Sequence, residues 1–396
     1  MNQNTDKQVY NKPLFIICAL LAVVGLVCWV MQLTKGLQMT NLNTYNTWGL
    51  YIIGFMIFTG IAAGSLLFSS SAFLFNSMAE FKPYAAIATV VGVICSAATA
   101  GLFIMVDMGN PLRAWRFIAG ANVSSPMFWD FLIIILYLII GIIFVSTLMK
   151  VAKGQKDSKS MYGISLAAFI AGLLVTITSF VFALQVARPL WNNPVQPISF
   201  LAAAIVAALA LQIILFSALN KSGAMPMSSD KLAKLGKIAG IFLFVELLVV
   251  IGEAIVGMYS GSGEEAPIIY WLVAGEGAVY FWVEFIAIIA GLVLLFKKTD
   301  TSVTGAGVAL FAIFMIKYNL LQAQLSNPLL TYPGSPVYSS NAYFPSLIEI
   351  GLFIGIISFG VVLALIAVQK ISLGTKTNVG VNSNQSHGNI GVEAKA

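Results

Sequence analysis

Eight ionisable side chains fall inside, or at the rim of, long apolar stretches: Asp107, Asp130, Glu246, Glu253, Glu276, Glu284, Lys317 and Glu349. Placing such a group in hydrocarbon costs on the order of 3 kcal/mol, which makes each a candidate for chemistry rather than filling. A carboxylate in that setting, within reach of water, gives and takes protons. Glu246 and Glu253 are seven residues apart and share a helix face, as Glu276 and Glu284 nearly do at eight. Facing each other and Lys317, these four form a proton path. Alternatively they form a buried set, with Lys317 paired to Glu253 or Glu349, that only fixes helix register.

The stretches that hold them are membrane spans. Hydrophobic residues make up 59% of the 396-residue chain and charged residues 9%, and the mean hydropathy is +0.92, which excludes a soluble globular class. Runs long enough to cross hydrocarbon, about 20 residues each, occur near 14–34, 47–76, 84–106, 127–149, 161–186, 198–219, 236–258, 271–296, 302–325 and 345–369. They are continuous rather than alternating, so helices are expected and a barrel is not. The expected fold is an all-α polytopic membrane protein of ten transmembrane helices. The division runs as an N-terminal segment 1–13, a first peripheral helix 14–34, a four-helix bundle over 47–186, a second over 198–325, a last peripheral helix 345–370, and a tail 371–396. That tail is rich in Gly, Asn, Ser and Lys and is expected to be disordered.

Charge placement tests the count. Of the 21 Lys and Arg residues, only Lys35, Arg113, Arg116 and Arg188 fall on one side, Lys317 lies within a run, and the other sixteen share the opposite side with both termini. By the positive-inside rule the lysine-rich side and the termini are cytoplasmic, in a cell membrane. The net charge of +6 is then topological and implies no nucleic-acid partner. The first run lacks a small-residue cleavage site and reads as a retained helix. Because helix direction alternates, Asp130, Glu253, Glu276, Lys317 and Glu349 fall in the outer halves of their spans. Glu246 and Glu284 fall near the middle, and Asp107, Arg113 and Arg188 at the outer rim.

Absences narrow the chemistry. The only histidine, His387, is in the tail, so no membrane haem has axial ligands here. Cys18, Cys28 and Cys95 lie within spans without CxxC spacing and read as apolar filler rather than cluster or zinc ligands. No phosphate loop or dinucleotide fingerprint is present. The expectation is a chain with no haem, iron–sulfur cluster, flavin or metal of its own, so electrons for any redox step come from another subunit.

The lysine-poor side carries the unusual loops: Asp107–Asp130 (DMGNPLRAWRFIAGANVSSPMFWD), Ala187–Pro197, Tyr259–Trp271 and Ser326–Ser346, rich in Pro, Gly and aromatics. Aromatic belts occur at any bilayer interface, but aromatic and Arg residues also anchor protein interfaces. Two loops echo one another, NPLRAW…SSPMFW and RPLWNNP…QPISF, each with a Pro where the next helix starts. Spans two to five and six to nine are therefore expected to be related units.

Five motifs in order, WGLYIIGFMIFTGIAAGSLLFSSS (Trp48–Ser71), DMGNPLRAWRF…NVSSPMFW, RPLWNNPVQPISFL, FWVEFIAIIAGLVLLF (Phe281–Phe296) and YFPSLIE (Tyr343–Glu349), resemble the NrfD-type membrane subunits. These include the membrane subunit of polysulfide reductase and, in ten-span form, that of certain periplasmic hydrogenases. The resemblance covers nearly the whole chain except the tail. It implies a cofactor-free subunit that binds menaquinone or another quinone near the outer face and exchanges electrons with a ferredoxin-like iron–sulfur subunit docked there. That partner would contact a catalytic subunit: a molybdopterin enzyme, a hydrogenase or a multihaem cytochrome. Some members place a histidine near the quinone at the start of the first bundle, where this sequence has Asn46, Trp48 and Tyr51.

In these terms Asp107 and Asp130 are the expected proton-exchanging groups of the first bundle. Trp48 and Tyr51 are expected to pack on or hydrogen-bond the quinone headgroup. Arg113 would hold the loop or a carboxylate, or merely brace the loop as an ion pair with Asp107 or Asp130. Two other functions fit the same composition: a secondary transporter, from ten spans and buried carboxylates, and a passive anchor without chemistry.

Overall fold

The computed structural model describes residues 11–43, 46–157, 159–260, 265–297, 302–327 and 343–383, with residues 260 and 372–383 as backbone only. Ten of its helices are long and apolar enough to cross a bilayer: α1 (Lys12–Lys35), α2 (Leu50–Leu74), α3 (Asn76–Asp107), α4 (Pro126–Ala152), α5 (Ser160–Ala183), α6 (Gln196–Lys221), α7 (Ser229–Tyr259), α8 (Ala278–Phe296), α9 (Ser302–Ser326) and α10 (Leu347–Ile371). No strand occurs among the described residues. Pro126 and Pro197 open α4 and α6 in the first turn, where the missing N–H leaves no bond unmade.

α2 is apolar on every face and is the most enclosed of the ten. It packs against α3 and α5 on one side and against α6 on the other; α6 packs in turn on α7 and α9, and α8 lies against α7 and α9. Small residues let α2 and α6 approach: a Cβ on Gly64 would stand 2.2 Å from the Ala204 carbonyl oxygen. α1 and α10 pair with each other outside this core and rest on α3. Their crossing is set by Gly25 and Gly355, where a Cβ on either would fall within 2.5 Å of the other backbone.

Three local departures from a plain helix shape the interior. α3 begins as a 3-10 segment, Asn76–Tyr84, and is interrupted by a π turn over Val90–Cys95 before its last stretch Ser96–Asp107. The extra residue of a π turn re-aims everything beyond it, here Ala97, Ala98, Gly101 and Asp107. α5 breaks at Leu174 between Ser160–Leu173 and Val175–Ala183. There the Thr176 and Ser179 hydroxyls donate to the Leu173 and Thr176 carbonyls, a back-bonding that loosens the ladder.

The third departure corrects the eighth span, expected over 271–296. A short helix, Ala266–Val273, precedes it and α8 starts only at Ala278. The intervening Gly275-Glu276-Gly277 turn folds back on Trp271: a Cβ on Gly277 would meet its ring at 2.5 Å. The last helix also outruns its expected end at residue 370, continuing to Ser383, because extending a formed helix adds one bond per residue without new nucleation. Residues 384–396, including His387, lie outside the described residues, as do 1–10.

Candidate functional site

A cavity of about 400 Å³ opens among α2, α3, α4 and α5 beneath the 108–125 loop. Its walls are aliphatic and aromatic, from Ile52, Phe55 and Met56 on α2 to Ile134 and Leu138 on α4. The π turn brings the small residues Ala97, Ala98 and Gly101 of α3 to the wall, and a Cβ on Gly101 would touch nothing within 4 Å. Against this apolar lining stand three polar side chains, Asp107, Asp130 and Thr178.

Asp130 lies one turn into α4 and is buried; its carboxylate accepts a hydrogen bond from the Thr178 hydroxyl at 2.5 Å. Asp107 is the last residue of α3, and its Oδ1 is buried without a hydrogen-bond partner among the described residues. Few polar atoms in a folded interior are left so. Trp48 closes one wall. Its indole stacks on Trp191 at 5.7 Å and 15°, and meets Phe182 edge-on at 5.8 Å. Its carbonyl accepts from Gln322 at 3.2 Å. Beyond it, Trp191 donates to the Leu320 carbonyl at 2.7 Å, and the Arg188 guanidinium lies 5.7 Å from the Trp191 ring. Partial burial pulls Arg188 below its ordinary pKa.

Two of the expected site residues do not line this cavity. Tyr51 faces away from the cavity, because Ile52, Phe55 and Met56 occupy the cavity-facing stripe of α2. Its hydroxyl donates to Gln32 of α1 at 2.8 Å, and the Gln32 amide donates to the Val106 carbonyl at 3.0 Å. Tyr51 thus ties α1, α2 and α3 together behind Asp107. Arg113 sits exposed on the Pro111–Arg113 turn, and the one ion pair among the described residues is Lys234 with Glu80 at 2.5 Å. Water solvates the guanidinium there better than a dry carboxylate site would. Thr178, Gly101 and the alanines went unnoticed in the sequence. A hydroxyl amid apolar residues and the small-residue run Ser96–Gly101 were the only signals.

In the second bundle Glu246, Glu253 and Glu284 line one chamber of about 50 Å³. Ser199 donates to Glu246 at 3.0 Å, Asn193 to Glu253 at 2.9 Å and Asn319 to Glu284 at 2.5 Å. Lys317 lies between the two bundles, in a separate pocket of about 10 Å³ that Thr178 also lines. Its ammonium sits 3.7 Å from the Phe200 ring centre and has no hydrogen-bond acceptor among the described residues. It pairs with neither Glu253 nor Glu349.

Glu276 and Glu349 stand apart from this group. Glu276 is exposed on the turn before α8, since the interrupted helix removes the shared face expected with Glu284. Glu349 is fully buried and caps α10: the Ser346 N–H donates to its carboxylate at 2.8 Å while the Ser346 hydroxyl accepts from its N–H at 3.2 Å. The Asn41 N–H at 2.9 Å and the Tyr343 hydroxyl donate to the same carboxylate. Burial and that bond to Glu349 hold the Tyr343 phenol above its ordinary pKa. A carboxylate so fully satisfied is a structural tie.

Among the described residues no group of three or more His, Cys, Asp or Glu is placed to hold a metal ion, and Cys18, Cys28 and Cys95 are free.

The sequence model of the family described as Polysulphide reductase, NrfD, matches residues 38–326, from the loop before α2 to the end of α9. A protein named as a putative dimethyl sulfoxide reductase membrane subunit, from Halobacterium salinarum, is 27% identical over 90% of either chain. A selenate reductase subunit of Mesobacillus selenatarsenatis is 24% identical over 96% of this chain and 97% of its own length. An Hdr-like menaquinol oxidoreductase integral membrane subunit from Archaeoglobus fulgidus is 27% identical over 50% of this chain and 48% of its own.

Proposed function

The chain belongs to the NrfD polysulphide reductase family, and from that footing we propose that it is the quinone-exchanging membrane subunit of a respiratory oxidoreductase complex. The observation that carries the reading is the first-bundle cavity: about 400 Å³, apolar, with two carboxylates at its loop end. A quinone ring and the start of its isoprenoid tail need such a space, largely apolar with a few convergent polar groups.

Converting quinol to quinone moves two electrons and two protons. Asp107 and Asp130 take or return the protons, Thr178 orients Asp130 through their 2.5 Å hydrogen bond, and Trp48 forms the flat wall beside the ring. The electrons pass to a redox partner on the lysine-poor face, in keeping with the relatives named as subunits of dimethyl sulfoxide and selenate reductases. The 108–125 loop offers that partner Leu112, Trp115, Ile118 and Val123, all more than 60% exposed, a patch suited to an interface anchor. The partner is an iron–sulfur subunit joined to a catalytic subunit outside the membrane, with both termini of this chain in the cytoplasm by the lysine bias.

A photoreactive menaquinol analogue tests this in the assembled complex. Crosslinks are expected in peptides spanning 97–108 and 127–138, competed away by unlabelled menaquinol. Labelling confined to the lipid-facing sides of α1 or α10 would refute the site.

The clustering of Glu246, Glu253 and Glu284 near Lys317 supports a second element, proton passage through the second bundle. Glu284→Gln is expected to lower the membrane potential generated per electron transferred. An unaltered potential at normal turnover would leave these residues a structural role only.

A further inference from the structure

The four-helix unit α6–α9 repeats the polar plan of α2–α5. On the third helix of each an acid accepts a bond from a polar side chain on the fourth: Asp130 from Thr178, and Glu284 from Asn319. On the second helix of each a further acid lines the same space, Asp107 in one and Glu253 in the other. The volumes differ. Ile269 and Leu272 of the short helix Ala266–Val273, with Phe281, fill the second space to about 50 Å³ against about 400 Å³ in the first. No ring enters it. At roughly 10–15 Å³ for each water, it admits a small ion with a few waters.

We propose that this chamber is a binding seat for a monovalent alkali cation of about the size of Na+. Two oxygen atoms on residues that line it, Glu246 Oε1 and Gln196 Oε1, are buried without hydrogen-bond partners among the described residues, on residues 0% and 2% exposed, while the Gln196 amide nitrogen donates to Glu253 at 3.5 Å. Both are acceptors. Protonation satisfies a carboxylate but never a carboxamide oxygen, so Gln196 calls for a cation or a donor in the chamber. The Ser199 hydroxyl, which donates to Glu246 at 3.0 Å, keeps lone pairs for the same purpose.

Charge balance agrees. Three carboxyl groups line the chamber, and the Lys317 ammonium, held over Phe200 in the neighbouring pocket, is hydrogen-bonded to none of them. Burying an ionised carboxylate is costly unless positive charge accompanies it, so ionisation of these acids is favoured when a cation enters with them. A divalent ion fits poorly: Ca2+ and Mg2+ need about six or more oxygen ligands, and no three acids converge at metal-holding geometry among the described residues. One carboxylate oxygen, one amide oxygen, one hydroxyl and water make a monovalent set. Entry is from the lysine-poor face, where Glu253 lines both the chamber and a groove of about 380 Å³ that reaches Glu265.

This inference adds a cation seat to the chamber proposed for proton passage and needs no quinone, so the two readings fail separately. Equilibrium binding of radioactive sodium ion to the purified complex, with N-methylglucamine holding ionic strength constant, is the test. Saturable binding is expected, weakened at least about tenfold in Glu246→Gln and in Gln196→Leu and unchanged in Asp130→Asn. The wild-type complex should also melt at higher temperature in Na+ than in N-methylglucamine, a measurement that requires no variant. Absence of saturable binding and of the melting shift in wild type would overturn the proposal, as would wild-type affinity in both chamber variants or loss of Na+ in Asp130→Asn.

Discussion

Asp130→Asn is expected to lower quinol-linked electron transfer by about 100-fold or more while the complex still assembles, since positioned acid–base groups contribute roughly 10²- to 10⁴-fold. The substitution keeps the side chain's size, and the amide oxygen still accepts from Thr178, so packing around the 2.5 Å bond survives. What disappears is the capacity to ionise. Asp107→Asn should act in the same direction, and because Asp107 Oδ1 has no partner among the described residues, its neutralisation disturbs still less of the structure. Steady-state oxidation of a menaquinol analogue, beside the polypeptide composition of the purified complex, reads both variants. Normal turnover in both would remove the carboxylates from the chemistry and leave the chain a passive anchor.

Filling the cavity from its floor gives the other large effect. Gly101→Leu places a branched side chain in open space, since a Cβ at that position meets nothing within 4 Å. Replacing a helical glycine also removes a backbone penalty of roughly 1 kcal/mol, so the melting temperature of the variant should hold or rise. The same side chain occupies volume the quinone ring needs. KM for the menaquinol analogue should climb by about tenfold or more, equivalent to at least roughly 1.4 kcal/mol of binding, with kcat affected less. Unchanged KM in a stable Gly101→Leu protein would place the quinone elsewhere. Together the two variants separate the roles of the site: one removes proton exchange and keeps the space, the other removes space and keeps the acids.

The membrane frame was legible because it rests on strong physical terms. Ten apolar runs and the one-sided lysines follow from hydration and insertion energies that no tertiary contact reverses, and each of the ten spans overlaps its run, the eighth only from Ala278 on. The acids Asp107 and Asp130 were legible for the same reason, and they share one cavity. Side-chain direction was not. Tyr51 and Trp48 are three residues apart, yet Trp48 precedes the helix and Tyr51 is inside it, so the spacing says nothing of a common target. Glu276 looked like a span residue because hydropathy averages over the Gly275-Glu276-Gly277 turn that breaks the helix. Glu349 carried a readable signal, the Ser346…Glu349 spacing of a capping box, outweighed by its apolar surroundings. The π turn of α3 and the break in α5 leave no mark in composition, though they decide which small residues and which threonine reach the cavity.

The clasp of α1 with α10 through Gly25 and Gly355 has a bearing on how the protein is made. Eight spans separate α1 from its mate along the chain, so α1 is translated well before α10 and stands in lipid without that partner until α10 emerges, a wait its apolar surface permits. The clasp therefore closes only after the eight spans between its two halves have been made, a docking step that joins segments far apart in the order of synthesis.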